Sequence, residues 1–279
     1  MMTAKKITNV LTVAVAAMAL VAITTSRVEA AWTPADITTA LWLDANDGST
    51  IHTDDAVGFV SQWDDKSGND KHAIQVTGSN QPETDLRTIG GLNVIAFNGS
   101  SQYLTVNGSI SAQPCTVFFV AKTTIGPGRD YLFDGANSAR SMVALNYEGT
   151  VQMYAGGWGD SGISTPTDPC IVAAAFNTTS SDEIAVDGVN VTGLSVGGGT
   201  LTDGMNLGVA TDEAYHWLEG DIAEFIIVSG APDETARQKM EGYLAWKWGL
   251  ESNLPIGHPY KTAAPGGGAA TPGTLIYGK

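Results

Sequence analysis

From residue 41 onward the chain is a succession of short apolar stretches, each closed by residues that favour turns. The stretches 72–76, 92–97, 103–106, 115–122, 141–146, 151–155, 170–177, 183–186, 205–210 and 221–229 read as strands, and "LWLDA" from Leu41 reads as one before them. Gly99, Asn107-Gly108, Pro127-Gly128, Asp187-Gly188 and Asp203-Gly204 punctuate them. Many short strands with turn signals at this spacing predict an all-β sandwich or barrel. Helices do not alternate with the strands, which argues against a parallel α/β fold.

One substantial helix is expected, near the C-terminus. Pro232-Asp233-Glu234 places acids in its first turn, and Ala236, Met240, Leu244 and Trp248 recur at helical spacing. Lys247 lies in the last turn and Gly249 follows as the stop. These signals agree with the cap and macrodipole rules. A second, short helical start is expected at Thr33-Pro34-Ala35-Asp36.

The two ends read differently from the middle. Lys5 and Lys6 precede an apolar run at 10–23, and Val28-Glu29-Ala30 puts small side chains where a signal peptidase reads. Residues 1–30 are therefore expected to be a secretory signal peptide. The apolar run falls short of the ~20 residues that span a bilayer. Residues 31–261 are expected to form one domain, and 262–279 ("TAAPGGGAATPG" onward) a flexible Gly/Pro/Ala tail.

Charge excludes some partners. Removing residues 1–30 takes away Lys5, Lys6 and Arg27 against Glu29 alone, moving the net charge from −15 to −17. Nucleic acid and anionic membrane surfaces need basic patches, and no basic cluster follows residue 30. Cys115 and Cys170 each follow a proline at the head of an apolar strand. If those strands are antiparallel neighbours, the sulfurs lie far beyond bridging range; if parallel, a disulfide fits. The sequence leaves both open.

Three motifs in order carry a family resemblance: "WDDKSGND" (63–70) before "LNVIAFNGSSQYLTV" (92–106), "GDIAEFIIV" (220–228), and "KMEGYLAWKWGL" with "LPIGHPY" after it. Together they resemble the laminin-G-like domains of the concanavalin A-like lectin and glucanase superfamily, of the kind found in secreted bacterial and phage-tail proteins. The resemblance spans about 32–261. It implies a jelly-roll sandwich of two antiparallel sheets with the C-terminal helix packed on it. Members of the superfamily bind sugars or proteins, often with calcium, and a few hydrolyse glycans. Fold alone does not choose among these.

The catalytic alternative rests on Glu219, Asp221 and Glu224, which match a glucanase-like spacing of carboxylates. Positions i and i+2 of a strand share a face, and a bulge returns i+5 to it, so three acids could serve as nucleophile, proton donor and tuner. Gly220 stands where such enzymes carry a large aliphatic residue, and the non-catalytic look-alikes show the same Gly-Asp-Ile-Ala-Glu run. The expected reading is therefore a closing strand, with Glu224 packing or pairing near the helix and no catalysis.

For metals, "DANDGST" (44–50) has the ingredients of a calcium turn without EF-hand spacing. It is expected to be a polar turn, as is "DDKSGND" (64–70), with Trp63 in the core. Asp130 and Asp134, read as lying in mid-chain loops, are further calcium candidates. The histidines His52, His72, His216 and His258 lack zinc spacing. No cofactor is assigned, and calcium stays open.

The binding candidates are aromatic. "MYAGGWGDSG" (153–162) places Tyr154 and Trp158 in a Gly-rich loop beside Asp160, and "TDEAYHWLEG" (211–220) places Tyr215, His216 and Trp217 between strands. Aromatic faces stack on the C–H groups of sugar rings while carboxylates take the hydroxyls. The expected function is a secreted or cell-surface module binding extracellular glycan. A surface or fibre component with protein partners is the second reading, motivated by the apolar "TLIYGK" end. In "EGYLAWKWGLESNLPIGHPY", Trp248 is expected to be buried and Trp246 peripheral.

Overall fold

The computed structural model describes residues 32–54, 58–124, 129–136, 140–178, 181–211 and 215–266. The expected signal peptide and the "TLIYGK" end lie outside them. Among the described residues, no helix is long and apolar enough to cross a membrane.

Two antiparallel sheets pack face to face as a jelly-roll sandwich. The seven-stranded sheet runs Thr39–Asp44, Glu219–Ser229, Cys115–Thr123, Cys170–Phe176, Asp182–Val186, Val189–Leu194, with Ile95–Asn98 also paired to Glu219–Ser229. The nine-stranded sheet runs Trp158–Ser164, Thr150–Tyr154, Met142–Tyr147, Asp130–Gly135, Gly204–Leu207, Leu104–Asn107, Ala73–Ile74, Val60–Trp63, Ile51–Thr53. A small hairpin, Thr88–Ile89 with Leu92–Asn93, stands apart.

Between the sheets, Leu43, Val117, Phe119 and Phe225 meet Phe133, Leu145, Val151 and Met153. Phe119 and Phe225 stack at 6.3 Å, and Phe133 meets Phe225 edge-on at 5.4 Å. The seven-stranded sheet is buried on its other face as well. There Trp42, Phe118, Val120, Ile171 and Ile226 lie under Met240, Leu244, Ala245 and Trp248 of the C-terminal helix. Double burial explains why 115–121 and 222–228 are nearly continuous apolar runs, whereas the edge strand Trp158–Ser164 of the nine-stranded sheet alternates exposed and buried residues over most of its length.

The helix is Glu234–Trp248, with Asp233 accepting from the Ala236 N–H at 2.8 Å as its cap. Gly249 ends it at φ 69°, a left-handed conformation that glycine enters without a Cβ penalty. Trp248 is fully buried, and Trp246, half-buried, donates its indole N–H to the Tyr260 carbonyl at 2.8 Å. The expected short start is a 3-10 turn, Pro34–Asp36.

The cysteine question resolves geometrically. Cys115–Thr123 and Cys170–Phe176 are antiparallel neighbours, with Cys115 opposite Phe176 and Cys170 opposite Ala121. Six strand positions at ~3.3 Å each put the two ends about 20 Å apart, beyond the ~7 Å limit for a bridge. Both are buried free thiols.

The strands expected from the sequence are present with shifted ends, except that 92–97 is two: Leu92–Asn93 pairs with Thr88–Ile89, and Ile95–Asn98 joins the seven-stranded sheet. Ile51–Thr53, Val60–Trp63, Thr88–Ile89, Asp130–Gly135, Trp158–Ser164 and Val189–Leu194 are not among the expected strands. Two of these matter for function. Trp158 and Asp160 stand on an edge strand, not in a loop. Asp130 and Asp134 stand on a buried central strand, not in loops.

Candidate functional site

A bulge between Ile222 and Glu224 does bring Asp221, Ala223 and Glu224 to one face, since Ile222, Phe225 and Ile227 take the other. That face is the one covered by the helix. Glu224 is fully buried and accepts from Trp42 Nε1 and Trp248 Nε1 at 2.7 Å each, from the Tyr243 hydroxyl at 2.9 Å and from Lys247 Nζ at 2.8 Å. Burial raises its pKa and Lys247 opposes that rise. Asp221 is buried against Arg87 Nε at 2.5 Å, while Glu219 is exposed. Glu224 thus fastens the helix to the sheet, and the three acids do not share an open cleft.

The polar turn at 44–50 is occupied by ammonium groups. Lys66 Nζ lies 2.8 Å from both Asp44 and Asp47, and Lys247 Nζ lies 2.7 Å from Asp44. Asp65 accepts from the Trp42, Ser67 and Lys71 backbone N–H groups, and Trp63 is fully buried. Among the described residues, no group of three His, Cys, Asp or Glu side chains is arranged to hold a metal.

The aromatic candidates meet on the outer face of the nine-stranded sheet. Strand register builds this face: Trp158 pairs with Tyr154, Tyr154 with Met142, Met142 with Asp134, and Asp134 with Asn206. Directly opposed residues of antiparallel strands share a face, so these five form one row. A second row runs Asp160, Gln152, Ala144, Tyr131. Their opposite-parity neighbours Val143, Leu145, Val151 and Met153 fill the core.

The rings form a connected ribbon. Trp158 lies 5.2 Å from Tyr154, 4.1 Å from Tyr147 and 6.4 Å from Tyr131. Tyr131 stacks on His216 at 4.7 Å, and His216 lies 6.2 Å from Tyr215. Trp158 is 41% and Tyr215 64% exposed. Arg129 sits over Tyr147 at 4.1 Å and Arg140 over Tyr154 at 5.4 Å, cation–π contacts that orient both guanidinium groups. His216 holds φ at 60°. That conformation is costly for a non-glycine residue and recurs at functional sites. Burial pushes the Tyr131 hydroxyl up to about 12.

At the inner end of the ribbon lies a cavity of about 230 Å³ lined by Tyr131, Asp134, Arg140, Ala210, Thr211 and His216. Asp134 is fully buried. Its Oδ2 accepts from the Thr211 N–H at 2.9 Å, and Thr211 also donates its hydroxyl to the Gly135 carbonyl. Arg140 Nε approaches Asp134 Oδ1 to 2.7 Å but out of line, so neither atom has a directed hydrogen bond. Burial pushes the Asp134 carboxyl up to about 6, with the Thr211 N–H and Arg140 opposing the rise.

Of the six sequence candidates, Tyr154, Trp158, Tyr215 and His216 join this ribbon. Asp160 shares its face, accepting from the Gly162 N–H at 2.8 Å. Trp217 does not join: it packs edge-on against Tyr103 at 5.9 Å, half-buried. The sequence reading missed Tyr131, Tyr147 and Arg140, and took Asp134 only as a calcium candidate in a loop. Parity along 130–135 and 142–147 would have grouped them, but register breaks within both strands interrupt the alternation.

No family model matches the chain, and no curated protein matches it. Among solved structures, the binding domain of Paraclostridial Mosquitocidal Protein 1 superposes with TM-score 0.55 at 11% identity, covering 74% of this chain and 52% of that one. The ligand-binding domain of botulinum neurotoxin serotype D, solved with N-acetylneuraminic acid, gives 0.51 at 16% identity, covering 74% and 51%. Domain 4 of AbnA, an extracellular GH43 arabinanase from Geobacillus stearothermophilus solved with arabinotriose, gives 0.47 at 13%, covering 68% and 91%. The chain spans about half the length of the first two, and at these identities the likeness is one of β-sandwich fold.

Proposed function

We propose that this chain is an exported, laminin-G-like, non-catalytic module that binds an extracellular glycan on the outer face of its nine-stranded sheet. The observation that carries the reading is the ring ribbon Tyr154–Trp158–Tyr147–Tyr131–His216–Tyr215. Rings that only filled a core would be covered, yet two of them, Trp158 and Tyr215, stand open to solvent. Amphipathic rings beside carboxylate and guanidinium groups match the apolar and hydroxyl faces of a sugar. The row of opposed residues continues from Asn206 through Thr105, Ile74 and Gln62 to His52. His52, Gln62 and Ile74 line a second cavity of about 490 Å³ on it. Nine strands at ~4.8 Å spacing give a track of roughly 38 Å, long enough for several sugar units. That a botulinum domain of like fold was solved with a sialic acid is in keeping with a sugar ligand, but the choice of ligand class here rests on the rings. The absence of catalysis is inferred from Glu224 and Asp221, whose oxygens are committed to structural partners.

Pull-down on insoluble polysaccharides and a glycan array test the reading. Wild type should bind at least one glycan, Trp158→Ala and Tyr147→Ala should lose most of that binding, and Trp217→Ala should retain it. Binding to no glycan, or equal binding by all four proteins, would refute it. Release of reducing sugar from a bound glycan would refute the non-catalytic part.

A further inference from the structure

We propose that Asn107 is a site of spontaneous covalent modification, where the side-chain amide leaves as ammonia and water adds to give aspartate or isoaspartate, while the fold protects the locally identical Asn98. The inference is independent of the glycan-binding reading.

The chain holds two Asn-Gly pairs, Asn98-Gly99 and Asn107-Gly108, and serine follows each. Glycine has no Cβ to hinder its own nitrogen or the turning of its backbone, so an asparagine before it is the one most readily attacked by the main chain. Local sequence gives both pairs this reactivity, and the fold separates them. Asn98 is locked into a turn. Its Oδ1 accepts from the Ser100 and Ser101 N–H groups at 3.0 Å each and from the Gln102 N–H at 3.3 Å, and its Nδ2 donates to Ser101 Oγ at 3.1 Å. The Gly99 N–H donates to the Leu218 carbonyl at 3.0 Å. Asn107 is the last residue of Leu104–Asn107, and both it and Gly108 are exposed. Among the described residues, no hydrogen bond holds the Asn107 side chain and none takes the Gly108 N–H. Gly108 has φ 76°, and a Cβ on it would meet only Lys71 Nζ, at 3.5 Å.

The chemistry needs only water. The Gly108 nitrogen gives up its proton and bonds to Asn107 Cγ. The Cγ–Nδ2 bond then breaks, and ammonia leaves with that proton, closing a five-membered imide. Water opens either carbonyl of the imide, leaving one carboxylate and releasing one proton. The Lys71 ammonium stands beside Gly108, and an opposite charge favours the deprotonated nitrogen. Opening at the side-chain carbonyl gives aspartate. Opening at the main-chain carbonyl gives isoaspartate, which routes the backbone through Cβ and Cγ at the residue opposite Gly204.

Peptide mapping by mass spectrometry tests the assignment. The protein would be held at pH 8 and 37 °C, once folded and once in urea, and sampled over several weeks. Both asparagines lie in the tryptic peptide 88–122, so fragmentation places the exchange of NH for O and tells aspartate from isoaspartate. In the folded protein Asn107 should convert at least ten times faster than Asn98, and in urea the two should convert at closely similar rates. Lys71→Gln, with its fold verified by circular dichroism, should slow Asn107 in the folded protein and leave the rates in urea unchanged. Equal conversion of the two sites in the folded protein, or faster conversion of Asn98, would overturn the proposal. So would an Asn107 that stays intact when folded yet converts in urea. An unchanged Asn107 rate in folded Lys71→Gln would overturn the part given to Lys71.

Discussion

Trp248 donates its indole N–H to Glu224 Oε2 at 2.7 Å, which ties the last turn of the helix to the bulge of the central strand. The same carboxylate takes Trp42, Tyr243 and Lys247, so donors from a strand and the helix converge on one buried charge. In Glu224→Gln, one carboxylate oxygen becomes an N–H₂ group facing donors, and Lys247 keeps Asp44 as its one carboxylate partner. Removing one partner of a buried charge network costs about 3–5 kcal/mol. Urea unfolding should show an unchanged slope and a midpoint lowered by that free energy divided by the slope. An unchanged midpoint would mean that this hub does not hold the helix.

Two of the sequence motifs that carry the family resemblance meet in this hub, joined by Trp42 of the first strand. Trp42 of "LWLDA", Glu224 of "GDIAE" and Tyr243, Lys247 and Trp248 of "YLAWKWGL" converge on it. The sandwich and the helix were legible because those residues sit in long apolar or helix-periodic runs. The site was legible only in part. Trp158 follows Gly156-Gly157 and reads as loop, although pairing with Tyr154 makes it strand. Tyr131 and Tyr147 lie in otherwise apolar strands, where an aromatic residue looks like core. What assembles them is cross-strand register, a long-range property that local pattern does not contain.

Cys115 and Cys170 should behave as two inert thiols. Burial pushes Cys115 up to about 11 and raises Cys170 well above its usual value, leaving little thiolate at pH 8. Titration with a thiol reagent should find almost none in the native protein and two after unfolding without reductant. Reductant should leave the melting temperature unchanged. A single intramolecular bridge would contradict the strand register.

Gly242 lies inside the helix, where alanine would ordinarily be favoured by about 1 kcal/mol. Here a Cβ would come within 2.5 Å of the Tyr260 Cβ. The segment carrying Tyr260 is held by Trp246 and by His258, whose Nε2 lies 3.1 Å from Glu241. Gly242→Ala should therefore destabilise by about 1–2 kcal/mol despite its better propensity, the overpacking cost exceeding the gain. Gly257→Ala, whose Cβ would meet nothing within 4 Å, should stay within about 0.5 kcal/mol of wild type. Equal stabilities for the two variants would show that the helix does not pack against Tyr260 this closely.

Asp134 should make the protein more stable in mild acid. Its carboxyl rises from 3.8 to about 6 on folding because burial disfavours the charge. Between those values the folded state holds a proton that the unfolded state has released, so stability falls as pH rises through the window. Above pH 6 the full cost applies, about 3 kcal/mol; below about pH 4 it vanishes. Arg140, His216 and Tyr131 line the same cavity, so the difference between wild type and Asp134→Asn is the quantity to follow. Asp134→Asn should be more stable by up to about 3 kcal/mol at pH 8, and the gap should close between pH 6 and 4. Denaturant midpoints across that range measure it. An Asn variant less stable than wild type at pH 8 would mean that the pair with Arg140 outweighs the burial of the charge.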